Sequence, residues 1–165
     1  MLPVPANRRP HPSTRWWARL WIYQQERFPL VSHATLTGVL VFSSLGYSLV
    51  ARNAGHAPSW QSLLTAFVFA LGTFLLLRIA DEHKDAAEDG AYRPYRPVPR
   101  GLVSLTELNR LGAATGLAQA ILIIWFDPLL LPLLGMVWVT MALMRVEFGV
   151  AGWLQARPLL YTGSH

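Results

Sequence analysis

The chain contains no cysteine. Disulfide frameworks, thiolate metal centres and thiol nucleophiles are therefore excluded at the outset. It is also short of charge. Asp, Glu, Lys and Arg make up 14% of its 165 residues, against about 25% in ordinary soluble domains. Acidic residues are the scarcest, nine against fourteen Lys and Arg. No early apolar segment marks a cleavable signal peptide, because residues 1–28 are rich in Pro, Arg and Trp. There is no internal repeat, and no apolar/polar alternation long enough for a membrane barrel.

What is present is apolar. Hydrophobic residues make up 53% of the chain, with seven Trp and twelve Pro. Leu30 to Val50 carries no Asp, Glu, Lys or Arg, and Trp60 to Ala80 carries only Arg78, near its end. Leu111 to Phe126 and Pro128 to Met144 are uncharged but shorter, so each needs flanking turns to cross a hydrocarbon core about 30 Å thick. The pattern predicts an all-α, multi-pass transmembrane bundle of about four spans, near residues 30–50, 60–81, 105–126 and 128–148. This bundle (residues 29–165) follows an N-terminal segment, 1–28, whose "RWWARLWIY" places Trp and Tyr rings at headgroup depth.

Several helix ends are legible. "VSLTEL" puts Val103 at N′, Ser104 at the N-cap, Glu107 at N3 and Leu108 at N4, a capping box with a hydrophobic staple. "FDPLL" supplies Asp127 as an N-cap and Pro128 at N1, so the last two spans form a tight hairpin. Ser59 caps the second span behind Pro58. "GAATG", Gly112 to Gly116, is a small-xxx-small pattern suited to close helix packing. Asn109, Arg110 and Gln119 either line a cavity or satisfy neighbouring helices.

The net charge of +5 is not read as nucleic-acid binding, because the arginines cluster beside apolar spans. Arg8, Arg9, Arg15, Arg19 and Arg27 precede the first span. Arg52 stands alone in the first loop, whereas Arg78, Lys84, Arg93, Arg96 and Arg100 surround the second. The third loop has none, and Arg145 and Arg157 follow the last span. The positive-inside rule then puts the N-terminus, the 82–103 loop and the C-terminus in the cytoplasm, in a bacterial inner membrane. Arg145 and Glu147 sit at a span end, where a snorkelling pair and a functional charge are both open readings.

Five of the nine acids fall in one stretch: Asp81, Glu82, Asp85, Glu88 and Asp89. With helix through Asp89 and Gly90 as its C′ residue, Asp81, Asp85 and Asp89 share one face at fourfold spacing. Carboxylates so placed repel one another until a hard cation relieves them, and Mg²⁺ takes oxygen ligands including substrate phosphates. Arg93, Arg96 and Arg100 follow in "YRPYRPVPRG", and guanidinium forks suit phosphate oxygens. Metal-binding carboxylates beside phosphate-binding arginines at a membrane surface describe a diphosphate site for a lipid-tailed substrate. The bland reading is an acidic run that solvates a helix end.

This stretch resembles the UbiA superfamily of intramembrane prenyltransferases. Its first aspartate-rich motif reads N-D-x-x-D-x-x-x-D, followed by an R-P-L-x-x-G segment. In "DEHKDAAED", Asp81 stands at the Asn position, Glu82 at the first Asp, Asp85 at the second and Asp89 at the third; "RPVPRG", Arg96 to Gly101, fits the segment after it. "ERFPL", Glu26 to Leu30, is similar to the family's entry into its first helix. The resemblance implies Mg²⁺ on Asp81, Glu82, Asp85 and Asp89. It also implies diphosphate contacts from Arg93, Arg96 and Arg100, and transfer of a polyprenyl group to an acceptor, often aromatic. His83 is expected to point off the acidic face.

The family's second aspartate-rich motif has no counterpart here, since the acids after Asp89 are only Glu107, Asp127 and Glu147. The chain is therefore expected to be the N-terminal half of such a protein and not to catalyse alone. A homo-oligomer would juxtapose two copies of Asp81–Asp89. A phosphatidyltransferase of the CDP-alcohol type is disfavoured, because "DGAYR" follows the acids and lacks the Ala-Arg pair. The remaining alternative is a non-catalytic small multi-pass membrane protein, a cation binder or an assembly partner.

Overall fold

A computed structural model describes residues 15–145 and 149, and every described regular element is helical. The order is α1 (Trp16–Arg27), α2 (Leu30–Ala51), α3 (Trp60–Lys84), α4 (Ala86–Tyr92) and α5 (Leu105–Phe126). A 3₁₀ turn, Pro128–Leu130, then leads into α6 (Leu131–Arg145). Leu30–Ala51, Trp60–Lys84, Leu105–Phe126 and Pro128–Arg145 are each long and apolar enough to cross a membrane, as expected for a four-span bundle. The expected extension of the last span over 146–148 lies outside the described residues, as do Arg8, Arg9, Glu147 and Arg157.

The helix ends follow local chemistry. Ser104 Oγ accepts from the Glu107 amide at 3.1 Å, and the Glu107 carboxylate accepts from the Ser104 amide at 2.9 Å, so both halves of the capping box are made. Val103 and Leu108 close the staple, both fully buried. Ser59 Oγ accepts from the Ser62 amide at 3.1 Å, and Asp127 accepts from the Leu129 amide at 3.0 Å. Between α1 and α2 the corner is pinned three times. Gln24 Oε1 accepts from the Leu30 amide at 2.8 Å, His33 Nδ1 donates to the Pro29 carbonyl at 2.9 Å, and the Phe28 and His33 rings stack at 4.1 Å.

The central helix is α3, packed on α5, α2 and α6. Small residues permit the approach. A Cβ on Gly112 would lie 3.7 Å from Leu76 and Ile79 of α3, and one on Gly116 would lie 3.6 Å from Trp138 of α6, which makes "GAATG" a packing seam. Across the same seam Gln119 Nε2 donates to the Phe69 carbonyl at 3.0 Å and to Thr73 Oγ1 at 3.1 Å, while its Oε1 accepts from Trp138 Nε1 at 3.2 Å. One side chain thereby joins three helices where no water competes.

Outward faces are apolar. Val39 and Phe42 of α2, Leu117 of α5 and Met136 of α6 are all exposed, as surfaces meeting hydrocarbon must be. The densest core lies at one end of the bundle. Tyr23 of α1, Ile79 of α3, Leu102, Val103 and Leu108 form a buried cluster that gathers α1, α3 and the start of α5 around the acidic loop. Tyr23 is thus a core residue, contrary to the headgroup position expected for it. Its neighbours Trp16, Trp17 and Trp21 remain exposed.

Candidate functional site

The acidic stretch sits where α3 gives way to α4. The expected single helix through Asp89 is not what forms. α3 ends at Lys84, the chain bends at Asp85, and α4 runs to Tyr92 with Gly90 inside it and not at its end. Hydrogen bonding still passes through the bend: the amides of Asp85, Asp89 and Arg93 donate to the carbonyls of Asp81, Asp85 and Asp89 at 2.8, 2.8 and 2.9 Å. The axis changes direction without losing this ladder, so the three aspartates do not project from one straight face.

The carboxylates divide into two kinds. Glu82 is 1% exposed and accepts from Arg27 Nε at 2.6 Å, with Arg78 at 3.4 Å. Asp89 is 2% exposed and accepts from Arg96 at 2.5 Å and Arg93 at 3.2 Å. Burial pushes the Asp89 carboxyl up, but the hydrogen bonds and charges of Arg96 and Arg93 outweigh it and hold the group below the usual carboxylate range. The same contact pushes Arg96 further up. By contrast the Asp81 side chain is 55% exposed, with Arg78 no nearer than 3.8 Å, and Asp85 is half-buried. Glu88 is exposed, with Arg93 at 3.9 Å.

Of the residues expected to bind metal, the structure does not gather all four. Glu82 and Asp89 face guanidinium groups, and only Asp81 and Asp85 stand clear of buried ion pairs. Among the described residues, no three of the acids and histidines converge as a ready ligand set. Of the expected phosphate contacts, Arg93 and Arg96 flank Asp89, whereas Arg100 turns away to Glu26 at 2.8 Å and the Tyr95 carbonyl at 2.9 Å.

Sequence reasoning missed Arg27 and Arg78 as site residues. Both reach Glu82, and Arg27 Nη2 and Arg78 Nε are buried donors without a hydrogen-bond partner among the described residues. "ERFPL" held the signal for Arg27, a cation at the entry to the first span, but nothing local names its partner. His83 behaves as expected: its Nδ1 donates to the Ile79 carbonyl at 2.9 Å, and it lines a cleft between α3, α5 and α6 with Leu76, Gly112 and Arg145. Asn109 lines the same cleft, and Arg110 is exposed.

α1 closes the site from the side. Arg19 reaches Glu107 at 2.5 Å and Arg27 reaches Glu82, while Glu26 accepts from Arg100. These cross-links hold one surface helix against α5, α3 and the arginine loop. The arrangement offers two accessible carboxylates, a shell of arginines with unmade hydrogen bonds, and an apolar bundle beyond. The chain matches no family model, no curated protein and no solved structure.

Proposed function

We propose that this chain is a UbiA-like prenyltransferase, or the N-terminal half of one, acting on a polyprenyl diphosphate and an acceptor, often aromatic, with Mg²⁺. The observation that carries the reading is that Asp81 and Asp85 stay out of buried ion pairs while Arg27 and Arg78, both on Glu82, keep hydrogen-bond donors unmade at the end of the span Trp60–Lys84. Orphaned guanidinium N–H groups at a buried site call for an acceptor, and a phosphate oxygen is one that guanidinium groups favour. The 82–103 loop would then face the cytoplasm of a bacterial cell, the side that the arginine distribution favours.

The donor set suits Mg²⁺ in its usual protein form, one or two carboxylates completed by water and substrate phosphate oxygens. Asp81 and Asp85 would hold it. When bound, the ion neutralises the diphosphate and stabilises it as a leaving group. The chain's own residues do the rest. Arg27, Arg78 and Arg96 supply fixed positive charge where negative charge grows on the departing oxygens. Glu82 and Asp89 keep those guanidinium groups in place, serving as positioning residues and not as metal ligands. Arg93, more exposed than Arg96 and on the longer contact to Asp89, is the arginine there that would turn towards a phosphate.

The test is Mn²⁺ binding, read by electron paramagnetic resonance on protein purified in detergent, with and without farnesyl diphosphate. Asp81→Asn and Asp85→Asn are expected to weaken diphosphate-dependent Mn²⁺ binding at least tenfold, and Glu88→Gln to leave it within twofold. Equal effects of Asp85→Asn and Glu88→Gln would reduce the stretch to a solvated helix end.

A further inference from the structure

The cleft between α3, α5 and α6 is polar at one end and apolar along the rest. His83, Asn109 and Arg145 stand near the helix ends on the side of the acidic loop. Leu76, Leu117 and Trp138 lie seven or eight residues further along the same helices, about 10–12 Å deeper at 1.5 Å of rise per residue. Half of a hydrocarbon core is about 15 Å thick, so the cleft stays within one leaflet. Its volume is about 460 Å³, and its floor is low because Gly112, Ala113 and Gly116 put little side chain there.

The polar end says what the cleft takes. Arg145 and Asn109 are exposed, so a molecule lying in the cleft reaches both. Neither side chain makes a hydrogen bond or an ion pair among the described residues. His83 adds no contact of its own, because its Nδ1 is taken by the Ile79 carbonyl and its Nε2 has no exposed surface. Among the described residues that line the cleft, Arg145 is the one permanent cation and there is no carboxylate. One guanidinium beside an amide matches a monoanion with several acceptor oxygens, as a phosphodiester is. A diphosphate carries more charge than one arginine offsets, and Asp81 and Asp85 are not among the lining residues.

We propose that this cleft binds one anionic phospholipid of the leaflet on the acidic-loop side. Its phosphate accepts from Arg145 and Asn109, and one acyl chain lies along Gly112, Gly116 and Trp138. A basic rim between membrane helices is a general form of site for an anionic head group. The lining offers no carboxylate to the ammonium of a zwitterionic lipid, so phosphatidylglycerol is preferred to phosphatidylcholine. Arg145 therefore does more than snorkel to the nearest water, because the cleft beneath it gives its lipid a fixed place. A seated chain also braces α6 against α3. The site stands without the prenyl diphosphate reading and uses none of its residues.

The probe is the full 165-residue chain grown with photo-methionine, a diazirine analogue, in nanodiscs holding phosphatidylglycerol and phosphatidylcholine in equal amounts. Met141 lines the cleft, whereas Met136 is 65% exposed on α6 outside it and reports the bulk bilayer. After photolysis, peptide mass spectrometry reads which lipid is attached to each methionine. Phosphatidylglycerol should exceed phosphatidylcholine about fivefold at Met141, the order of one arginine's preference for an anionic lipid, and match it at Met136. Arg145→Gln should bring the Met141 ratio down to that of Met136. Asn109→Leu should lower the yield of phosphatidylglycerol adduct at Met141 about threefold. Arg110→Gln, which removes an exposed charge beside Asn109 but outside the cleft, should change neither. Equal lipid ratios at the two methionines would overturn the proposal, as would loss of the adduct to micromolar farnesyl diphosphate. So would Met141 attached mainly to residues 146–165 or to a second copy of the chain, since either would then be the occupant.

Discussion

Arg27 Nε lies 2.6 Å from Glu82 Oε1, although 55 residues and a complete span separate the two in sequence. Both side chains are largely withdrawn from solvent, 12% and 1% exposed. Removing one member of such a pair leaves the other buried and unmatched, which typically costs about 3–5 kcal/mol. Arg27→Met is therefore expected to destabilise the protein by an amount in that range, less whatever Arg78 makes up by moving closer to Glu82. Denaturation in mixed micelles, followed by near-UV circular dichroism, measures it. A loss under about 1 kcal/mol would mean that the pair is solvated in practice.

Asp89 sets an acid limit. Its carboxyl is held below the ordinary value of 3.8, so the stability it contributes is fully present above that value and is lost as pH falls from there through the depressed value. Wild-type protein should lose stability steeply over that acid window. Asp89→Asn should be less stable at neutral pH and show a flatter decline below pH 4. Parallel pH profiles for the two proteins would dissociate Asp89 from acid sensitivity.

Gly72 and Gly46 are opposite cases of one substitution. A Cβ on Gly72 would meet Gln119 Nε2 at 3.1 Å and Thr115 Cγ2 at 3.3 Å, whereas nothing lies within 4 Å of one on Gly46. Gly72→Ala should push Gln119 off Phe69 and Thr73 and cost about 1–2 kcal/mol, near the upper range for interhelical hydrogen bonds in membranes. Gly46→Ala should be neutral or slightly stabilising, since alanine is the better helix former. Thermal melting of both variants beside Gln119→Leu is the comparison; Gly72→Ala and Gln119→Leu should lose similar amounts.

Single-cysteine labelling can be run on a chain that has no cysteine of its own. Gly55→Cys marks the α2–α3 loop, where an added Cβ meets nothing within 4 Å. Asn53 is better left alone, because its φ of 51° is left-handed and would strain another residue. From outside intact cells a membrane-impermeant maleimide should label Gly55→Cys and not Ala91→Cys. The reverse pattern would invert the topology.

The spans, the α5 capping box and the Asp127–Pro128 turn were legible because each depends on neighbours within a few positions. The division of the carboxylates was not. Asp81, Glu82, Asp85 and Asp89 are alike in sequence, and only the arrival of Arg27 from α1 and of Arg96 from beyond α4 makes two of them buried partners. The bend at Asp85 was hidden for the same reason. No proline or glycine marks it, and it is held where Glu82 and Asp89 are tied to arginines on different elements. Tyr23 was misplaced because a run of aromatic residues beside a span reads as one interfacial belt, while helical spacing turns this one ring inward onto Val103 and Leu108.

The cluster around Tyr23 has a consequence for the order of synthesis. α1 is made first, yet the residues that receive it, Leu102, Val103 and Leu108, are made about eighty positions later, and its Arg19 finds Glu107 88 residues downstream. While α2 and α3 are being threaded into the bilayer, α1 lacks the part of its inner surface that Leu102, Val103, Leu108 and Glu107 supply. Its three outward tryptophans let it wait on the lipid surface through that interval. Ribosome-bound chains stopped before residue 105 should therefore carry an α1 that proteases reach more easily than in chains stopped well beyond it, with the α3 contacts at Ile79 and Glu82 giving only part of the protection.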